Sequence, residues 1–248
     1  MDTRFRKILV IGAVAFALAA PASQALLGFG LSASAFAGQG DSTLRAVGWA
    51  FSIWSLIYTG LVAYAIYQAL PRNDGNPRLA ALAVPSAVAI AGCGAWILAS
   101  AFNARWLSVA IILVSAVSLS WALVRTPRAG SAAVGERLCV WWPLGLLAGW
   151  LTIATALNIL TVMTAEGLLG GLARAAAFAG IVAVLVAALA GLRATRLAAF
   201  GAPVAWGLIG VWAAERAAKA DVAALALGAA VLVAAYAAWQ LRPAGRGG

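Results

Sequence analysis

Three segments place aromatic and amide side chains inside apolar stretches of the chain. In Gly48-Trp49-Ala50-Phe51-Ser52-Ile53-Trp54-Ser55-Leu56-Ile57-Tyr58, residues Phe51, Trp54 and Tyr58 fall at i, i+3 and i+7. A helix would carry them as one stripe. Ser100-Ala101-Phe102-Asn103-Ala104-Arg105-Trp106 is the second segment, and Gly149-Trp150-Leu151-Thr152-Ile153-Ala154-Thr155-Ala156-Leu157-Asn158 the third. Aromatic faces offer stacking area and an amide orients a polar edge, so the chemistry within reach is recognition of a flat apolar molecule. An unpaired amide is costly in lipid, so Asn103 and Asn158 must face a cavity or act as glue between helices.

Other chemistries are poorly served. The chain has no histidine, which removes His-based catalysis, His metal sites and a His-ligated haem. For a metal tetrapyrrole, the axial candidates reduce to Tyr58, Cys93, Met163 or water. There is no Gly-rich phosphate loop and no Ser/His arrangement. Cys93 and Cys139 lack CxxC spacing and fix no redox compartment. No metal site is expected, and no residue set demands a resident cofactor.

The elements that must hold these segments follow from composition. Of 248 residues, 65% are hydrophobic and 10% charged, with a mean hydropathy of +0.98. That excludes a water-soluble globule and a disordered chain. A spanning helix takes roughly 20 apolar residues, so the chain has room for about eight. Runs such as Ile181–Leu192 and Val222–Tyr236 do not alternate as barrel strands do. The expected fold is therefore all-α, a polytopic membrane bundle with spans near 8–36, 46–70, 79–103, 106–125, 138–163, 172–192, 197–215 and 222–241. Arg4, Arg6 and Lys7 before an apolar run ending at Ala20–Ala25 imitate a secretory signal. Apolar character continues to Phe36, which favours a retained first span.

The net charge of +10 is read as topogenic rather than as a nucleic-acid footprint. With both termini cytoplasmic, 12 of the 17 basic residues lie inside, and Arg45, Arg105, Arg174, Arg216 and Lys219 lie outside. A bacterial inner membrane is the expected location. No Asp or Glu falls at a span centre, which argues against ion-coupled transport. Glu215 and Lys219, four apart, are expected to pair at headgroup level. Trp141, Trp142, Trp206, Trp212 and Trp239 read as interfacial anchors. Gly145 and Gly149 form a GxxxG spacing, a weak signal in a chain with 26 glycines. By helical rise, Trp54 lies about 12 Å, Asn158 about 8 Å and Trp150 about 20 Å below the outer ends of their spans. The aromatics and amides thus converge on the outer half of the bilayer.

The same three segments resemble the TspO/MBR family, the tryptophan-rich sensory proteins related to the mitochondrial translocator protein. Gly48-Trp49-x-Phe51-x-x-Trp54-x-x-x-Tyr58 is similar to that family's second-helix signature, Asn103-x-x-Trp106 to its third-helix motif, and Trp150 through Asn158 to the end of its fifth helix. The resemblance runs over about residues 8–163. It implies a five-helix bundle around a pocket for porphyrins, haem, sterols or related apolar ligands, capped by the loop between the first two helices. The matched pocket positions are Trp49, Phe51, Trp54, Tyr58, Asn103, Trp106, Trp150 and Asn158. Family members implicated in light-dependent porphyrin breakdown make Trp54 and Trp150 the matching, weak catalytic candidates.

Two departures stand out. Ala46-Val47 replaces the family's Pro-Pro, and a capping loop over 37–45 is shorter and less aromatic than usual. Residues 1–163 are accordingly read as the TspO-like five-helix domain and 164–248 as a three-helix extension for stability or docking. The leading expectation is a membrane receptor for an apolar, tetrapyrrole-like or sterol/isoprenoid-like ligand, with porphyrin or haem as the implied ligand and the lipid bilayer as surroundings. The alternatives are a regulatory or assembly subunit, contacting a second copy or another membrane protein through the last three helices, and a porphyrin-degrading enzyme.

Overall fold

The computed structural model describes residues 2–127 and 133–242, which are helical with no strand among them. Eight helices are long and apolar enough to cross a membrane: Thr3–Leu27, Gly48–Ala69, Pro77–Ala101, Arg105–Arg125, Val134–Ala165, Gly170–Thr195, Ala198–Glu215 and Ala220–Gln240. The chain is an integral membrane protein with a polytopic helical fold. Seven spans lie within a few residues of the positions that hydropathy gives.

The first span is the exception, ending at Leu27 rather than Phe36. Gly28 takes a left-handed φ of 64° and donates its N–H to the Gln24 carbonyl, closing the helix. Gly30 is also left-handed, and a side chain there would overlap the Ala101 carbonyl. Backbone geometry, not loss of apolar character, stops the helix. Ser32 then accepts from the Ala35 N–H and caps a short helix, Ala33–Gly38. The segment joining the first two spans is therefore 28–47, longer than the 37–45 expected.

The first five spans close a ring. The first packs on the second and third, the third on the fourth, the fourth on the fifth, and the fifth back on the second. The sixth and seventh spans pack on the outside of the fifth, and the eighth covers them both. Close approach of the fifth and seventh needs Gly149: a methyl group there would overlap the Phe200 carbonyl and lie 2.8 Å from Pro203 Cγ. The GxxxG spacing is thus a real helix-packing face, with Gly145 against Ala199.

Polar contacts gather at two ends, as an up-and-down order requires. At the end that holds the amino terminus, Arg6 donates to the Asn73 carbonyl (3.0 Å), Arg78 pairs with Glu136 (2.7 Å) and Gln240 donates to the Leu192 carbonyl (2.8 Å). At the opposite end, Arg105 pairs with Glu166 (3.0 Å) and Arg174 with Asp221 (2.6 Å). Trp141 is not an interfacial anchor. It is 1% exposed, on a π-helical turn over Arg137–Trp141, and its indole N–H donates to Glu136 Oε1 at 3.0 Å. A buried carboxylate needs donors, and this indole and Arg78 supply them. Of the basic residues tallied above, Arg128 and Arg246 lie outside the described residues.

Candidate ligand-binding site

The ring encloses a cavity near the end opposite the amino terminus. Its lining comes from the second span (Phe51, Trp54), the third (Gly92, Cys93, Trp96), the fourth (Ile112, Ser115) and the fifth (Trp150, Leu151, Ala154, Leu157, Asn158, Thr161), with Phe36, Ala37, Arg45 and Ala46 from the joining segment. The cavity volume is about 60 Å³. The cavity is a narrow slot with aromatic walls.

Helical spacing explains one wall. Phe51 and Trp54 share a face of the second span, and both meet Trp150 edge-on, at ring centroid distances of 6.2 and 6.1 Å. Trp54 and Trp150 are therefore neighbours in a single wall, not two jaws on opposite sides of a ligand. Across the ring, Trp96 stands edge-on to the buried Phe36 at 6.0 Å. Neither Trp96 nor Phe36 belongs to the motifs that sequence singled out. In sequence, Trp96 stands alone in an apolar run, and Phe36 belongs to an apolar stretch continuous with the first span.

Asn158 combines the two roles left open for it. It lines the slot, accepts from the Trp96 indole at 3.4 Å and donates to Ser108 Oγ at 3.0 Å, linking the third, fourth and fifth spans. The remaining matched positions lie outside the lining. Tyr58 stacks behind Trp54 at 5.1 Å. Trp49 is half-exposed and packs on Trp206 of the seventh span at 4.9 Å. Trp106 is exposed on the fourth span. Asn103 occupies the tight turn between the third and fourth spans with φ 54°, and accepts from the Gln39 side chain at 3.0 Å. Of the residues read as axial candidates, Cys93 is in the lining, with its thiol donating to the Ala89 carbonyl; Tyr58 and Met163 are not.

The joining segment forms a lid strapped from two directions. On one side, the Gln39 amide is held between Asn103 and Arg105, whose Nε donates to Gln39 Oε1 at 3.1 Å. Thr164 donates to Thr43 Oγ1 at 2.7 Å. On the other side, the straps come from the last three spans. Lys219 Nζ donates to the carbonyls of Asp41 (3.0 Å) and Thr43 (2.9 Å). It also pairs with Glu215 at 2.9 Å, while Glu215 Oε1 accepts from the Arg45 N–H at 3.1 Å. This pair is not a headgroup-level ornament: Glu215 is 3% exposed. Next to it, the Val47 N–H donates to the Gly210 carbonyl at 3.0 Å, and the Trp206 indole donates to Ala50 at 2.9 Å. The 3₁₀ turn Gly48–Ser52 that opens the second span thus docks on the seventh span.

A family model described as TSPO-like protein matches residues 7–239, and so covers the last three spans as well as the ring. No curated protein and no solved structure matches the chain.

Proposed function

The chain belongs to the TSPO-like protein family, and from that premise we propose that it is a membrane receptor or binding protein for a flat apolar ligand of tetrapyrrole-like or sterol/isoprenoid-like class. The observation that carries this reading is the slot itself, walled by Phe36, Phe51, Trp54, Trp96 and Trp150 with the Asn158 amide on its border. Aromatic walls with few polar groups suit stacking and shape recognition. A macrocycle needs more room than the slot leaves free, so binding entails outward movement of the lid that carries Phe36. Held by hydrogen bonds and not itself a membrane span, that segment is the element best able to move.

Ligation of a metal has little to draw on, since the lining offers one thiol and no imidazole. If stacking holds the ring, metal-free protoporphyrin is expected to bind within about threefold of haem, a difference under about 0.7 kcal/mol. Quenching of tryptophan fluorescence in detergent-purified protein, titrated with each compound and with a sterol, measures this. A large preference for haem would point to Cys93 as a ligand and remove the stacking account. Failure of every compound to quench would remove the binding reading.

A second reading, light-driven breakdown of a bound porphyrin, is favoured by the contact series Tyr58, Trp54, Trp150, at 5.1 and 6.1 Å between successive rings. Oxidisable side chains in contact with one another and with the slot are what such chemistry would use.

A further inference from the structure

We propose that Arg45 selects ligands bearing a carboxylate or phosphate at one end of an apolar body, so that the slot takes the body and the mouth takes the anion. The inference rests on the reading of the slot as a ligand site and narrows the class of ligand. Arg45 is the charged residue of a lining that is otherwise apolar or neutral. Its backbone N–H is fixed by the buried Glu215 carboxylate, so the side chain leaves the lid from an anchored point. Its guanidinium has one ion-pair partner among the described residues, Asp41, through Nε at 2.9 Å. A guanidinium offers five N–H donors in a planar fork. One contact through Nε leaves the remaining donors of this half-exposed side chain to solvent, and a carboxylate or phosphate supplies two acceptors in matching geometry.

The Asp41 pair has the properties of an exchangeable stand-in. Both side chains are about half exposed, at 45% and 55%, and pairs of that kind are weakly held. Displaced Asp41 is free to turn to solvent, whereas Glu215, buried and bound to both Lys219 and the Arg45 backbone, stays in place. An incoming anion would therefore take over the Arg45 fork without dismantling the strap. A neutral apolar ligand gains nothing at this point and leaves the Arg45–Asp41 pair intact.

The test compares acid and ester forms of one scaffold on the full-length protein in the same detergent. Protoporphyrin against its dimethyl ester is one pair, and cholesteryl hemisuccinate against cholesterol is the other. In whichever scaffold binds, the anionic member is expected to bind about tenfold more tightly, with the ratio falling as salt is raised. Arg45→Gln is expected to bring that ratio to about one. Asp41→Asn is expected to raise it, because the competing carboxylate is gone; a merely structural pair would instead weaken both members together. A ratio near one in the unaltered protein, a ratio untouched by Arg45→Gln, or a ratio lowered by Asp41→Asn overturns the assignment while leaving a ligand site standing. Should Arg45→Gln fail to fold, Asp41→Asn decides alone. Absence of binding by all four compounds overturns the ligand site and the role of Arg45 together.

Discussion

Substituting alanine for Gly149 is expected to lower stability by about 3 kcal/mol, at the upper end of ordinary overpacking. The new methyl group would overlap a backbone carbonyl, that of Phe200, and press on the Pro203 ring. Neither can rotate away, so the fifth and seventh spans must separate. Because the fifth span also carries Trp150 and Asn158, the slot should distort with it. A graded series isolates the cause. Gly145→Ala meets Ala199 Cβ at 3.3 Å and should cost less, while Gly228→Ala, mid-helix with nothing within 4 Å, should match or exceed the parent by up to about 1 kcal/mol. Denaturant titration in detergent, followed by helical circular dichroism, measures all three. Equal stability of Gly149→Ala and the parent would mean that the two helices do not touch there.

Much of this architecture was legible in the chain because lipid leaves few alternatives. Runs of about 20 apolar residues bounded by Arg, Pro and Gly have to be helices, and charge sets their ends. What hydropathy cannot register is a backbone that turns without becoming polar. Gly28 and Gly30, both with positive φ, end the first span inside an apolar stretch that runs on to Phe36. That break converts the stretch into the longer lid and brings Phe36 to the slot. Likewise, nothing in a hydropathy profile distinguishes Glu215 as a buried strap from Glu215 as a solvated span end. Its partner groups, the Lys219 ammonium and the Arg45 backbone, are brought to it by tertiary folding.

The second large effect belongs to the aromatic wall. Trp54→Ala and Trp150→Ala are each expected to weaken ligand binding by about 1–3 kcal/mol through lost apolar burial. Because the two rings touch, the double variant need not equal the sum, but binding should fall at least tenfold, about 1.4 kcal/mol. Trp→Phe at either position should keep most of the affinity. Under illumination the same Trp→Phe variants separate receptor from photochemical enzyme. Loss of porphyrin absorbance should vanish in them if the indoles carry an oxidising equivalent, since phenylalanine is far harder to oxidise. Unaltered binding by the double alanine variant would refute both readings of the slot.

The site was legible in part, for a related reason. Period-3.6 spacing put Phe51 and Trp54 on one face, and depth put Trp150 and Asn158 near them, as the structure has it. Spacing along a helix does not tell which face meets a cavity and which meets lipid. Trp106, exposed on the fourth span, and Trp49, on the seventh-span side of the second, are therefore indistinguishable in sequence from the residues that line the slot.

The lid and its straps are far apart along the chain. The Arg45 N–H and its Glu215 acceptor are separated by 170 residues, and Lys219 from its two carbonyl acceptors by 176 and 178. At about 5–20 residues per second, a ribosome needs roughly 10–35 s to bridge that interval. The fifth span ends at Ala165, about 50 residues before Glu215, so the first five spans have only the last ~3–10 s of that interval together, with the entrance of the second still lacking its dock on the seventh. The slot is therefore built early and latched late. On the reading of the slot as a ligand site, a ligand present during synthesis would meet it before the last two spans shut it, whereas one added afterwards would have to work the latch open.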